Sequence, residues 1–435
     1  MYRVVHGNPT VDAQDFIDLV NHLNAHPFAP ARELFNAKSD LIVSRAPGRL
    51  DLIGGIADYS GSHVLEFPIA EATFAAVQLN AERQLNIVSL LDDEPRHSSF
   101  TMSMSVLDGP VEYETAREFF QHNPGGCWAA YVAGVFLVLM RERNVNFTSG
   151  ANILISSRVP PGKGVSSSAA LEVAVMQAVA AAFDISFEGR EQALLCQKVE
   201  NLVVGAPCGV MDQMTAVFGE RDKLLLLLCQ PAEIKRMITL PPQLMLWGID
   251  SGIRHSVGGG DYGSVRARTF MGFEIIRGMN PGTDYLATIS PAEFESKYLL
   301  QLPEAVRMPT AHPIYENARV QRFVELLDQP ELRFDELGEL MYESHRSYTA
   351  LGLNSTGTDL LVDLVRKQGP SAALFGAKIT GGGSGGTVAV LGSNTSRAAI
   401  ERVAASYADE TGHQPYIFNG SSSGSLAFRH LRLSA

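Results

Sequence analysis

A loop rich in glycine and serine, followed at once by an alanine-rich apolar run, is the segment best suited to chemistry. It reads Pro160-Pro161-Gly162-Lys163-Gly164-Val165-Ser166-Ser167-Ser168-Ala169-Ala170. Glycines let backbone amides approach a polyphosphate, and the first turn of a helix directs unpaired amides at that charge. A serine hydroxyl there also suits a magnesium ion, while simple capping of the helix by one serine is the alternative. We expect a phosphate site here.

The common nucleotide-binding fingerprints do not fit this chain. The serine loop lacks the GxxxxGK[ST] spacing of a P-loop. A second glycine cluster matches G-x-G-x-x-G through Gly381, Gly383 and Gly386, but a strand-forming run follows it where a dinucleotide fingerprint requires a helix. The alternative is that the glycines of this cluster only allow the backbone to form a tight turn. The two loops therefore predict a different ATP-binding architecture.

The elements around these loops are read from hydrophobic periodicity and turn residues. The first forty residues predict an accessory helical segment, because apolar residues recur there at helical spacing. Predicted strands cover residues 41–44, 75–79, 85–91, 152–155, 223–229, 245–250 and 387–391. Predicted helices cover residues 169–183, 320–327 and 359–367. The serine loop thus lies between a strand and a helix, as a phosphate site requires.

Length and charge narrow the class of protein. A chain of 435 residues exceeds what one core usually organises, so we predict two domains, 1–240 and 241–435, with the site between them. The net charge of −12 argues against nucleic acid and anionic membranes as partners. The longest apolar run is too short to cross a bilayer, and no signal peptide is evident. We expect a cytoplasmic protein whose four cysteines are free thiols.

Three segments together resemble the motifs of the GHMP kinases, in the same order. The first segment is Ala46-Pro47-Gly48-Arg49-Leu50-Asp51-Leu52-Ile53-Gly54-Gly55-Ile56-Ala57-Asp58-Tyr59-Ser60-Gly61, the second is the serine loop, and the third runs from Lys378 to Gly386. The resemblance implies a two-domain α+β fold, with a ribosomal protein S5 domain 2-like N-terminal domain and a ferredoxin-like C-terminal domain. It also implies an active site between the domains, which takes ATP and Mg²⁺.

Two further segments, residues 207–213 and 250–256, are similar to signatures of the galactokinase branch. The resemblance implies a monosaccharide phosphorylated at C1, with Asp212 as the base and Arg49 as its electrostatic partner. It assigns the metal to Ser168 and Glu200 and the adenine to Trp128. The implied ATP-binding residues are Gly162, Gly164, Ser166, Ser167, Ser168 and Ala169, and the implied sugar-contacting residues are Asp58, Tyr262, Gly55, Ile56, Gly382 and Gly383. We expect a monomer or a weak homodimer.

The chemistry is consistent with these roles. Phosphoryl transfer needs mostly positioning and neutralisation of charge, so an Asp-Arg pair, a metal held by a carboxylate and an amide-rich loop form a sufficient set. Asp212 or Arg49 taken alone would more often be an ordinary ion-pair residue. The joint occurrence of the motifs favours the catalytic interpretation.

The first motif departs from the galactokinase pattern, and the departure bears on the sugar. Galactokinases usually carry Gly-Glu-His-Thr-Asp-Tyr where this chain has Gly54-Gly55-Ile56-Ala57-Asp58-Tyr59. Loss of the glutamate associated with the C6 hydroxyl predicts a sugar without C6, such as L-arabinose, and the segment is similar to the kinase domain of L-arabinokinases. An unpaired buried hydroxyl costs about 1–3 kcal/mol, so galactose should be disfavoured.

Other acceptors and one other class of function stay open. Ile56 could pack in the core while another residue contacts C6, which would leave galactose or another hexose as the substrate. A mevalonate-like alcohol is a further acceptor within the same superfamily. Arg254, Arg266 and Arg268 make a uronic acid conceivable. A sugar sensor without turnover is a further alternative, although such a protein would be expected to lose parts of the loop or the base.

Overall fold

The computed structural model describes residues 1–91, 98–109, 111–123, 125–253, 260–383 and 386–435. Arg254, one of the three arginines considered for a uronic acid, lies outside these residues, as do residues 255 and 256 of the second galactokinase-like segment and Ser384 and Gly385 of the third motif. All residues assigned to the candidate site lie within the described parts.

The strands form two sheets. In chain order they are β1 (Arg3–His6), β2 (Leu41–Ile53), β3 (His63–Asn80), β4 (Gln84–Leu91), β5 (Ser98–Ser103), β6 (Gly150–Ser157), β7 (Lys223–Leu228), β8 (Glu233–Thr239), β9 (Leu244–Asp250), β10 (Leu374–Ile379), β11 (Thr387–Ser393), β12 (Ile417–Asn419) and β13 (Leu431–Ser434). The larger sheet has the order β1-β13-β2-β3-β6-β4-β5, and β7 with β8 extends it from β3. The smaller sheet has the order β10-β11-β9-β12.

The helices pack on both sheets. They are α1 (Val11–Asn21), α2 (Ala29–Arg32), α3 (Tyr113–His122), α4 (Gly126–Arg143), α5 (Ser167–Ala182), α6 (Gly189–Lys198), α7 (Met211–Phe218), α8 (Gly260–Met279), α9 (Pro291–Glu293), α10 (Glu304–Leu327), α11 (Phe334–Ala350), α12 (Thr356–Gln368), α13 (Arg397–Thr411) and α14 (Ser425–Phe428). The individually predicted strands and helices are confirmed in type, and most are longer than predicted. For example, the helix predicted at 320–327 begins at Glu304 and continues through Pro309 and Pro313. The first forty residues are helical only in part, because Arg3–His6 form β1, which pairs with β13.

The first motif lies on β2, a strand that is buried along its whole length. The strand passes through Pro47 and Gly48, where its register with β3 shifts. Gly48 must lack a side chain, because an added Cβ would lie 2.5 Å from the Val165 carbonyl oxygen. The close approach brings the first motif against the serine loop.

The helix after the serine loop, α5, is buried in the largest apolar core. Its alanines and valines pack against β2 and β3 and against α4. Small side chains allow a close approach of helix and sheet, which fixes the N-terminal end of α5 firmly. The rigid strand and helix therefore hold the loop between them from both sides.

The two ends of the chain meet in the first sheet. β13 lies between β1 and β2, so the last strand of the chain pairs with residues of the first motif's own strand. The division into 1–240 and 241–435 stays a prediction, and the final segment belongs to the larger sheet. Among the described residues, no helix combines the length and apolarity needed to cross a bilayer.

Candidate active site

The three motifs converge although they are far apart in the sequence. The Arg49 backbone N–H donates to the Val165 carbonyl at 3.0 Å, which joins the first motif to the serine loop. Gly381 and Gly386 of the third motif both have positive φ. A Cβ on Gly381 would lie 2.8 Å from the Gly164 carbonyl, and one on Gly386 would lie 2.6 Å from the Lys163 carbonyl. Glycine is therefore required at both positions by close backbone contact.

Arg49 and Asp212 form an ion pair at the base of the site. Arg49 Nε and Nη2 donate to Asp212 Oδ1 at 3.0 and 2.7 Å, so the guanidinium does not engage Oδ2. Arg49 Nη1 donates to the Gly164 carbonyl at 2.7 Å. Arg49 is 3% exposed, whereas the Asp212 side chain is 18% exposed. The pair thus ties the predicted base to the phosphate loop and leaves one carboxylate oxygen open to a ligand.

A cavity of about 150 Å³ lies beside this pair. Most of the predicted site residues line it, namely Arg49, Ile56, Asp58, Gly162, Gly164, Ser166, Ser167, Ser168, Glu200, Asp212, Tyr262 and Gly382. Residues assigned to the phosphate, the metal, the base and the sugar are therefore brought together around one space. The arrangement suits a reaction between a phosphate and an alcohol.

Four predicted residues do not line this cavity. Ala169 is buried behind the serines, and Gly383 packs against Leu353, whose carbonyl would lie 2.5 Å from an added Cβ. Trp128 is half-buried near the start of α4, against the apolar core. Gly55 faces Tyr348 instead of the cavity. The roles of these four in ATP and sugar binding stay predictions.

The serines at the start of α5 are not used as helix caps. Ser166 occupies the N-cap position with φ of 65°, and its side chain makes no capping hydrogen bond. Its Oγ is buried and has no hydrogen-bond partner among the described residues. A buried hydroxyl without a partner is costly, which favours a ligand at this position over simple capping. Lys163 of the same loop forms an ion pair with Asp250 at 2.7 Å.

Glu200 lies in a one-turn π-helix, Val199–Val204, that follows α6. Such widened turns often occur at functional sites because they re-aim one side chain. Gln213 Nε2 donates to Glu200 Oε2 at 2.7 Å, and the Cys208 thiol lies 3.5 Å from the same oxygen. Burial, and next the charge of Asp212, raise the pKa of Glu200 to about 7. A cation at this carboxylate would be electrostatically favoured, since it offsets both effects.

Asp58 lies in a 3₁₀-helix, Gly55–Ser60, at the end of the first motif. It is buried, and burial together with the nearby charge of Asp212 raises its pKa to about 7. Gly209 packs on it so closely that an added Cβ would lie 1.8 Å from Asp58 Oδ2. Burial and Asp58 also raise the pKa of Tyr262 well above its usual range, so its hydroxyl stays neutral.

A second buried ion pair joins the first and third motifs behind the cavity. Lys378 Nζ donates to Asp51 Oδ2 at 2.5 Å, and both side chains are fully buried. Tyr348 lies beside this pair, accepts from the Ile56 N–H at 2.8 Å and donates to the Gly381 carbonyl at 3.0 Å. An added Cβ on Gly55 would lie 1.9 Å from the Tyr348 hydroxyl oxygen. The space beside Gly55 is therefore already filled.

Several residues that line the cavity or contact the predicted site residues were not singled out from the sequence. Ala206, Pro207, Cys208, Gly209 and Met211 line the cavity, and all but Ala206 belong to the segment that was quoted as a signature. Glu66 lies 3.3 Å from Arg49 Nε and is fully buried. Glu172, which interrupts the apolar run of α5, contacts Gln213 at 3.3 Å. The sequence signal that could have pointed to Glu172 is its charge inside an otherwise apolar predicted helix.

Comparisons with known families agree with this geometry. Residues 130–220 match the GHMP kinases N terminal domain, residues 323–409 match the GHMP kinases C terminal domain, and residues 32–79 match the galactokinase galactose-binding signature. The chain is 31% identical to a galactokinase of Roseiflexus sp. (strain RS-1) over 87% of this chain and 90% of that protein. This chain belongs to the GHMP kinases, in their galactokinase branch.

The expected α+β GHMP kinase fold is confirmed by a solved structure. The galactokinase of Lactococcus lactis, solved with galactose, superimposes with a TM-score of 0.80 at 22% identity and covers 94% of this chain. A mevalonate kinase gives a TM-score of 0.58 at 16% identity. The chain is also 44% identical to an L-arabinokinase of Arabidopsis thaliana over 92% of this chain. This GHMP kinase spans about half of that relative, 47% of its length.

Proposed function

We propose that the chain is an ATP-dependent sugar 1-kinase that phosphorylates the anomeric hydroxyl of L-arabinose. The observation that carries the proposal is the position of the Arg49–Asp212 pair. It lies in one cavity with the serine loop and with Asp58 and Tyr262. A phosphate donor held by the serine loop and a hydroxyl acceptor held by Asp58 and Tyr262 would share this cavity with Asp212.

The proposed reaction is a direct transfer. The anomeric oxygen attacks the terminal phosphorus of ATP, the bond from that phosphorus to the bridging oxygen breaks, and ADP leaves. The proton of the sugar hydroxyl passes to Asp212, whose Oδ2 is not held by Arg49. Arg49 keeps the carboxylate oriented and stabilises charge that develops on the transferred group.

The residues present fit a magnesium ion. Mg²⁺ is usually held by one or two protein oxygen ligands and by the phosphates of the substrate. Ser168 and Glu200 offer a hydroxyl and a carboxylate in the same cavity, and Ser168 is close enough to lower the pKa of Glu200 against the larger effect of burial. The metal would be held by these two residues and would neutralise phosphate charge. Gln213 and Cys208 would keep Glu200 in place.

The proposed acceptor follows from the first motif. Galactokinases usually carry a glutamate at the position of Gly55, and here the Tyr348 hydroxyl occupies the space that a side chain would need. Gly55 also has φ of 47°, a conformation that favours glycine. Ile56 is 1% exposed and presents only carbon atoms to the cavity beyond its backbone. These features favour a sugar without a hydroxymethyl arm.

The identity of the relatives supports the same choice. An L-arabinokinase is 44% identical to this chain, and the galactokinase of Roseiflexus is 31% identical. A galactokinase activity is the second candidate, because the signature matched at residues 32–79 is that of galactose binding. The two candidates differ only in the acceptor.

A coupled ADP-release assay tests the proposal on the full chain. The acceptors are L-arabinose, D-galactose, D-glucuronate and D-galacturonate, and ³¹P NMR locates the phosphate on the product. We expect the highest kcat/KM with L-arabinose and a phosphate on C1. A preference for galactose would refute the proposed acceptor, and binding of ATP and sugar without any ADP would refute the kinase.

A further inference from the structure

A second and much larger cavity lies apart from the candidate active site. Its volume is about 1150 Å³, and it shares no lining residue with the active-site cavity. Its walls come from the segment around α1, from β2 and β3, and from the stretch between β12 and β13. Pockets for small molecules are typically about 300–1,000 Å³, so this space is large enough for a metabolite.

The lining of this cavity is rich in cations. Four arginines and two histidines line it, against three carboxylates. The arginines are Arg45, Arg158, Arg221 and Arg429, the histidines are His6 and His430, and the carboxylates are Asp12, Asp15 and Glu71. The chain as a whole carries −12, so positive charge is concentrated here against the overall composition.

Two of these arginines are held by protein groups. Arg45 is 4% exposed and donates to Asp12 Oδ2 at 2.7 Å and to the Ala70 and Ser423 carbonyls. Arg158 forms an ion pair with Asp15 at 3.3 Å. These two ion pairs leave Glu71 as the third lining carboxylate, and its Oε1 accepts a hydrogen bond from Tyr416 at 2.8 Å. Asp12 and Asp15 are therefore engaged by arginines, and Glu71 is engaged through one of its two oxygens.

Arg221 and Arg429 are the cations that remain. Both are exposed, and neither has a carboxylate within ion-pairing distance in the part of the chain that the structure describes. The positive charges of Arg221 and Arg429 instead lie near other basic side chains. Besides the larger effect of burial, Arg221 lowers the pKa of Arg45, and His6, Arg432 and Arg429 lower the pKa of His430. An anion among them would relieve this repulsion.

Aromatic rings and a polar atom without a partner complete the lining. Phe74 stacks on Phe16 with ring centroids 5.0 Å apart and meets Phe428 edge-on at 6.4 Å. Glu71 Oε2 is buried and has no hydrogen-bond partner among the described residues. Such an atom carries a desolvation cost that a water molecule or a hydroxyl group of a ligand would relieve by donating to it. The cavity thus offers charge, hydrogen bonding and an aromatic wall.

We propose that this cavity binds a small phosphorylated molecule whose phosphate oxygens accept hydrogen bonds from Arg221 and Arg429. Guanidinium groups match phosphate in both charge and geometry, and their hydrogen bonds to it are among the stronger ones in proteins. The site is separate from the serine loop, so the proposal does not depend on which sugar the enzyme phosphorylates.

Titration calorimetry with inorganic pyrophosphate, without magnesium, tests the site on the full chain. Wild-type protein is compared with the double variant Arg221→Ala/Arg429→Ala and with Arg397→Ala, a control whose exposed arginine lies outside the cavity. We expect the wild-type protein to bind pyrophosphate. The affinity should fall about tenfold or more in the double variant, because charge-assisted hydrogen bonds are lost, and should be unchanged in Arg397→Ala. Equal binding by wild type and double variant would overturn the proposal.

Hydrogen exchange locates the site where pyrophosphate binds, and a comparison of probes identifies the kind of phosphate compound that the site prefers. Pyrophosphate should protect amides in residues 6–15 and 421–430 of wild-type protein but not of the double variant. Inorganic phosphate, a nucleoside diphosphate and a sugar 1-phosphate are then compared as probes. Tighter binding of an ester than of pyrophosphate would assign the site to organic phosphates that use the aromatic wall, and equal binding would assign it to the inorganic ion. Protection confined to the serine loop with every probe would contradict the proposal.

Discussion

Two buried ion pairs lie close together in this chain and have different surroundings. Arg49–Asp212 has one partner that is 18% exposed and lines the active-site cavity. Lys378–Asp51 is fully buried and lines no part of that cavity. The first pair is open to a ligand on one side, whereas the second is sealed between the first and third motifs. The comparison indicates that exposure to the cavity, not burial of charge as such, separates the proposed catalytic pair from the pair that joins the motifs.

The largest expected effect is on turnover and comes from the open pair. Asp212→Asn removes the proposed base while the amide can still accept from Arg49, so kcat should fall by about 10²–10⁴-fold with the melting temperature nearly unchanged. Steady-state ADP release and a thermal melt measure both quantities. Asp328→Asn, which breaks an exposed pair with Arg236, is the control and should keep full activity. Near-normal turnover of Asp212→Asn would contradict the proposed catalytic role that distinguishes Arg49–Asp212 from Lys378–Asp51.

The sealed pair should respond in the opposite way. Lys378→Met leaves Asp51 buried without its cation, which typically costs about 3–5 kcal/mol of the free energy of unfolding. Urea unfolding measures this loss. Lys235→Met breaks an exposed pair with Glu233 and should cost about 0–1 kcal/mol.

A double variant shows whether the loss comes from the unpaired charge. Asp51→Asn/Lys378→Met removes both charges and keeps an oxygen that can accept from the Gly55 N–H, as Asp51 Oδ1 does at 2.9 Å. It should recover most of the stability that Lys378→Met loses. Equal stability of Lys378→Met and wild type would show that the pair does not hold the motifs together.

The metal side of the open cavity should show a smaller effect. Ser168→Ala removes one of the two proposed oxygen ligands, so the magnesium concentration for half-maximal rate should rise on the order of tenfold. A magnesium titration of ADP release measures it, with Ser167→Ala as the matched control from the same loop. An unchanged titration for Ser168→Ala and a shifted one for Ser167→Ala would move the ligand to the neighbouring serine.

Asp58 sharpens the comparison further, because it is buried without an ion pair to a cation among the described residues. Its pKa is about 7 in the folded state and 3.8 in the reference state, so the folded protein holds more protons between these values. The stability of wild type should therefore fall as pH rises through this window and level off above it. Each pKa unit corresponds to about 1.4 kcal/mol.

The Asp58→Asn variant isolates this contribution. Its melting temperature relative to wild type should be higher at pH 8 than at pH 5, because the ionisation cost is absent from the variant. Asp328→Asn should show no such gain, since Arg236 lowers the pKa of Asp328 instead of raising it. If the melting temperatures of Asp58→Asn and wild type changed with pH in parallel, the raised pKa of Asp58 would be contradicted.

The sequence by itself determined the local structure and most of the residues that gather at the candidate site. Hydrophobic periodicity predicted the strand before the serine loop and the helix after it, because local alternation reflects which face is buried. The motif order predicted that Arg49, Asp212, Ser168 and Glu200 act together, and all four line one cavity.

Only the tertiary structure decided which distant residues touch. Lys378 meets Asp51 across 327 positions, and Tyr348 fills the space beside Gly55. The last strand joins the first sheet, and Trp128 packs beside the core instead of lining the cavity. No periodicity encodes such pairs, because they depend on how whole elements pack and on which small residues allow close approach. The same packing creates the arginine-rich cavity from segments at opposite ends of the chain.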